Sequence, residues 1–80
     1  MEERYKRGLA KILKMRNWTA DQQQWLERLT MFIAKEIIVD KSMIHHQFAK
    51  DGGVKRLSKL LDTDVEKLVD EISDGVWKAS

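Results

Sequence analysis

Residues 48–62 read FAKDGGVKRLSKLLD and hold two of the four glycines in a chain that elsewhere reads as helix. Paired glycines ahead of a basic helix either turn the chain or cradle a phosphate. Free N–H groups at a helix N-terminus attract anions, and GGVKR would set two cations beside them. Against this, Asp51 directly precedes the pair, and its carboxylate is placed to cap those N–H groups itself. The spacing Gly-x4-Gly-Lys-Ser/Thr is missing, and so is Gly-x-Gly-x-x-Gly. The turn reading is preferred, because glycine is the residue for positive φ and close backbone approach. The pair then separates a short helix, capped by Asp40 or Ser42 and running to about Phe48, from one with Val54, Leu57, Leu60 and Leu61 inward.

Helical stripes extend outward on both sides. Tyr5, Leu9, Ile12 and Leu13 fall at i, i+4, i+7 and i+8, one face of an amphipathic helix. After Asn17 and Trp18, the sequence TADQ restarts the pattern as a capping box, with Thr19 as cap and Gln22 reaching back. The helix it opens carries Trp25, Leu26, Leu29, Phe32, Ile33 and Ile37 on one face. The stretch IIVD is β-branched and reads as an extended link or frayed end. Near the C-terminus, TDVE reads as a second capping box, Thr63 with Glu66, opening a helix with Val65, Leu68, Val69, Ile72 and Val76 on one side and Trp77 closing it. The expected architecture is all-α: a compact single-domain bundle of about five short helices over residues 1–80, built on Trp25, Leu29, Phe32, Leu57, Leu61, Leu68 and Ile72.

Composition narrows the function classes. A chain of 80 residues buries only about 60% of its unfolded surface, so its core must be well filled. With no cysteine, disulfides and thiolate metal sites are excluded, and a cytoplasmic setting is expected. No apolar run approaches the roughly 18 residues of a membrane span, so no membrane partner is expected. Charge is uneven. Residues 1–16 carry Arg4, Lys6, Arg7, Lys11, Lys14 and Arg16 against Glu2 and Glu3, whereas residues 62–74 carry six carboxylates against Lys67. One end could favour phosphate and the other would repel it.

Chemistry-bearing residues are few. His45 and His46 are adjacent, so on a helix they point about 100° apart and do not converge on one ion. No His-Glu-x-x-His spacing accompanies them, and polar helix positions are the preferred reading. Ser58 and Ser73 lack a histidine partner nearby in sequence. Catalytic, cofactor-binding and metal residues are therefore expected to be none. Lys55, Arg56 and Lys59 make a basic face, which is either a solvated surface or a contact for nucleic-acid phosphate. The basic face of the first helix reads the same way. Trp18, Trp25 and Trp77 are expected in the core, and one of them at the surface would instead suggest a partner site.

Taken in order, ILKMRNWTADQQQWLERL, IVDKS, FAKDGGVKRLSKLLD and DGVW resemble the C-terminal domain of the R (restriction, DNA-translocating) subunit of type I restriction endonucleases, of the EcoEI type. The pattern falls on Trp18, Thr19, Gln22, Trp25, Leu26, Val39, Asp40, Phe48, Gly52, Gly53, Leu57, Lys59 and Trp77, and covers about residues 10–78. Thr63 stands where the family often has glycine. The resemblance implies an excised C-terminal part of a larger subunit whose nuclease and ATP-driven motor domains, with their ATP and Mg, lie elsewhere. It implies a non-catalytic role: docking that subunit onto the methyltransferase (modification and specificity) subunits, with DNA contact as the alternative. Candidate DNA-contacting residues are Lys55, Arg56, Lys59, Arg7, Lys11 and Lys14. Candidate partner-contacting residues are Met31, Ile38 and Met43, which lie off the main stripes and serve either as exposed anchors or as plain core. The isolated domain is expected to be a monomer.

Overall fold

Thr19 opens the longest helix as its sequence predicts. In the computed structural model, which describes residues 2–78, the Gln22 N–H donates to the Thr19 hydroxyl at 3.1 Å and the Thr19 N–H donates to the Gln22 side-chain carbonyl at 3.0 Å. Five α-helices follow one another: α1 (Glu2–Leu13), α2 (Ala20–Lys35), α3 (Lys41–Gln47), α4 (Gly53–Leu61) and α5 (Val65–Trp77), with a 3-10 turn at Ala49–Asp51. Among the described residues there is no strand, and no helix is long and apolar enough to cross a membrane.

Helix α2 stops at Lys35, where Glu36 turns to extended backbone. Ile37 therefore lies outside the helix and is 76% exposed, a correction to its place on the apolar stripe. Its neighbours explain this: Ile37, Ile38 and Val39 are consecutive β-branched residues, which favour the extended link. Asp40, not Ser42, then caps α3, accepting from the Met43 N–H at 3.0 Å.

The glycine pair is a turn. Gly52 and Gly53 both hold positive φ, +93° and +74°, and their N–H groups donate to the carbonyls of Ala49 and Phe48. A side chain at Gly53 would also run into the imidazole of His45. Asp51 does not cap the following helix, contrary to expectation. It lies in the 3-10 turn, and its carboxylate meets the Arg28 guanidinium at 3.2 Å.

Helix α4 ends in a left-handed residue, Asp62 (φ +52°), with the Thr63 N–H reaching back to the Ser58 carbonyl and the Asp62 N–H to that of Lys59. This is a Schellman closure, which satisfies carbonyls that the helix end leaves free. It also overturns the second predicted capping box. Thr63 is drawn into the turn, its hydroxyl donating to the Asp62 carbonyl, and Asp64 becomes the cap by accepting from the Glu66 N–H at 3.0 Å. Ser58 takes the Val65 N–H at 3.1 Å, tying the two helices together.

Helices α1 and α5 run antiparallel, since Arg4 meets Trp77, Gly8 meets Val76, and Lys11 meets Glu71. Gly8 and Gly75 face each other where the helices approach most closely. A Cβ on Gly75 would sit 3.0 Å from the Gly8 Cα. The core beneath joins Ile12, Leu26, Leu29, Ile33, Ile44, Phe48, Leu57, Leu61, Val65, Leu68, Ile72 and Val76, all essentially inaccessible. Thr30 is the one buried polar residue among those described, and its hydroxyl donates to the Leu26 carbonyl at 2.7 Å. Trp25 and Phe32 are only half-buried, a correction to their place at the centre. Phe32 stands edge-on to the buried ring of Phe48 instead, with centroids 6.2 Å apart. Trp18 is in the core as expected, its indole N–H donating to the Ile12 carbonyl, whereas Trp77 is half-buried with its indole N–H on the Ile33 carbonyl.

Candidate interaction surfaces

Several cations of the basic face of α1, though largely exposed, reach partners within the molecule. Arg7 donates to the Val76 carbonyl at 2.9 Å and to the Gly75 carbonyl at 3.2 Å, capping the end of α5. Arg16, just beyond α1, donates to the Leu61 carbonyl at 2.6 Å and the Asp62 carbonyl at 3.2 Å, capping the end of α4. Carbonyls at a helix C-terminus carry the negative pole of the helix, so a guanidinium is the fitting partner. Lys11 pairs with Glu71 at 3.5 Å, and Arg4 lies 4.4 Å over the Trp77 ring. Of the N-terminal residues proposed to contact DNA, Arg7 and Lys11 are thus engaged within the fold, and all three, with Lys14 just beyond α1, are exposed. One ion pair, Lys11 with Glu71, joins the basic first helix to the acidic last one, whereas Glu66 pairs with Lys41 and Asp74 with Lys78.

On α4 the situation is reversed. Lys55, Arg56 and Lys59 are exposed, and none of them forms an ion pair among the described residues. The fold brings Trp25 and Lys50 to Arg56 around a shallow recess that Asp51, Gly52 and Leu60 complete. Arg28 stacks 4.6 Å over Trp25 while holding Asp51. Lys50, Arg28 and Trp25 are additions that sequence reasoning missed, because they come from a turn and from a different helix.

The three proposed partner contacts separate. Ile38 is 77% exposed, Met31 is 38% exposed, and Met43 is half-buried between α3 and the end of α2. The structure adds Ile37, so the α2–α3 link presents two adjacent isoleucines to solvent. Beside the link lies a groove of about 230 Å³ between α3, α4 and α5. Val39, Ile44, Val54, Val65 and Val69 form its floor, and Asp40, Lys41, Glu66 and Asp70 its rim. The signal for Ile37 was in the sequence: a residue inside a β-branched link does not belong to the preceding helix stripe.

His45 and His46 are both exposed, and among the described residues no group of three or more histidine, cysteine or acidic side chains could hold a metal ion. Burial raises the pKa of the Tyr5 phenol, and the nearby Glu27 carboxylate raises it further.

With this geometry in hand, comparison with known proteins is informative. The type I restriction enzyme EcoKI endonuclease subunit of Escherichia coli (strain K12) is similar, 27% identical over 77 residues. That match takes in 95% of this chain and 7% of the relative's length. No solved structure matches the chain. The family described as EcoEI R protein C-terminal matches residues 1–77, starting some ten residues earlier than the motifs alone marked out. The half-buried Trp25, the exposed link at Val39–Asp40 and the left-handed Gly52–Gly53 turn are thus features of a chain that belongs to the EcoEI R protein C-terminal family of type I restriction enzymes.

Proposed function

We propose that this chain is a non-catalytic assembly domain that docks the ATP-dependent translocase and endonuclease of a type I R subunit onto the methyltransferase core. The observation that carries this reading is the α2–α3 link, where Ile37 and Ile38 stand about three-quarters exposed beside an apolar groove. Adjacent exposed aliphatics next to a concave apolar floor are what a protein partner covers. A self-contained core also lets such a domain be removed without opening another one. Deleting the domain from the full R subunit should leave the ATPase and nuclease domains folded and impair assembly with the methyltransferase, measured by size exclusion or titration. Unchanged affinity of the truncated subunit would sink the docking reading.

A second reading, contact with the DNA backbone, has its own observation in its favour. Lys55, Arg56 and Lys59 stay unpaired among the described residues, whereas most α1 cations are occupied by carbonyls, carboxylates or rings. Binding through such cations is indifferent to sequence and steeply salt-dependent. Charge reversal at Lys55 and Lys59 should weaken it more than the same change at Lys35 or Lys67, by fluorescence anisotropy on duplex DNA. Tight binding that survives high salt would contradict it.

A further inference from the structure

We infer that the groove between α3, α4 and α5 receives an apolar side chain flanked by lysine or arginine on a partner protein. The inference rests on the docking reading above and names the chemistry of the partner's contact segment. Five β-branched or aliphatic side chains make the floor, Val39, Ile44, Val54, Val65 and Val69. Four of them are buried and Val39 half-buried, so the floor is already packed in shape before anything binds. At about 230 Å³ the groove lies below the usual range of small-molecule and cofactor sites, roughly 300–1,000 Å³, and suits a single anchoring side chain. Ile37 and Ile38, which directly precede the lining residue Val39 in the chain, are about three-quarters exposed.

The rim decides the occupant. It carries three carboxylates, Asp40, Glu66 and Asp70, against one ammonium, Lys41. Lys41 lies 3.5 Å from Glu66, so its charge is matched and the excess is negative. Two helices begin at this groove, and their N-terminal N–H groups would ordinarily favour an anion. Those groups already have acceptors: Asp40 on α3, and Asp64 with Ser58 on α5. What remains is an apolar floor inside an acidic rim. A phosphate backbone or an acidic peptide is repelled there, and a basic segment with an aliphatic anchor is drawn in.

The test uses the full R subunit and the methyltransferase core, titrated at low and at high salt. Two rim variants are compared, Asp70→Lys alone and Asp70→Lys with Glu66→Gln; both positions are exposed, so the fold should persist by circular dichroism. The double variant should slow association about tenfold at low salt, and the difference should shrink as salt screens it. Replacing Ile37 and Ile38 by serine should instead speed dissociation at both salt concentrations. Glu27→Lys, which alters a carboxylate close to Tyr5 on α1, serves as the control and should bind as wild type. Rim variants that bind as wild type, or more tightly, would overturn the groove assignment. If deletion of the whole domain abolishes assembly in the same assay, docking itself stands and only the groove fails. If deletion changes nothing, both fail.

Discussion

Gly53 shows how much one position can hold in place. Its φ of +74° lies where an L side chain costs about 1–2 kcal/mol, and a Cβ there also meets the His45 ring. Gly53→Ala should therefore destabilise the domain by at least that amount, read from a chemical-denaturation midpoint. A midpoint equal to wild type would mean that the turn is not held as described. Tyr5 offers a second residue-scale test, because it is the chain's single tyrosine and its phenolate absorbance reports on it alone. Burial and Glu27 both disfavour the anion, so the folded pKa lies above the ordinary 10.0. The sign follows from linkage: the unfolded chain gives up this proton first. The contribution is fully present below the unfolded value and is lost as pH rises through the folded one. Native-state absorbance titration should accordingly show a midpoint above that of the denatured chain, and stability should fall as pH climbs past about 10. Turn and cap residues also set the limit on what single positions reveal. Thr19 with Gln22 was legible, because both partners of the capping box lie within four residues. Thr63 was misread, because the left-handed closure at Asp62 moves the helix start one residue on, and no local pattern forecasts it.

Among the elements, α1 and α5 show how a charge run can mislead. Six cations near one terminus and six carboxylates near the other read in sequence as two surfaces of opposite preference. Antiparallel packing brings part of each run together, with Lys11 on Glu71 and Arg7 on the last carbonyls of α5. Nothing in the sequence announced that pairing. The close approach needs Gly8 opposite Gly75, two residues 67 positions apart that look unremarkable until the helices meet. Arg16, just beyond α1, probes a second such carbonyl cap, since it closes α4 while stacking 4.3 Å over Trp18. Arg16→Met should cost about 1–2 kcal/mol, in line with hydrogen bonds from a charged donor at a partly exposed site. Lys14→Met, at a neighbouring exposed cation, should stay within about 0.5 kcal/mol of wild type. Equal effects by denaturant unfolding would mean that Arg16 is plain surface charge and not a helix cap.

For the molecule as a whole, the helical stripes were sufficient to read an all-α bundle, and the core they predicted was right where apolar residues recur at helical spacing. Leu29, Leu57, Leu61, Leu68 and Ile72 are buried as expected. Trp25 and Phe32 are not, because a broad stripe on α2 exceeds what its neighbours can cover, and its edge residues finish under an arginine or against another ring. The interaction surfaces were less legible for a related reason. Ile38 could be picked out as off-stripe, but the groove beside it is assembled from the link, α3, α4 and α5, whose juxtaposition is a property of the tertiary fold. The assembly role is the central claim, and competition tests it most directly. The isolated 80-residue chain, added in excess, should prevent the full R subunit from joining the methyltransferase core, with inhibition that saturates and that Ile37→Ser/Ile38→Ser relieves. Assembly that proceeds unchanged at a large excess of correctly folded chain would contradict it.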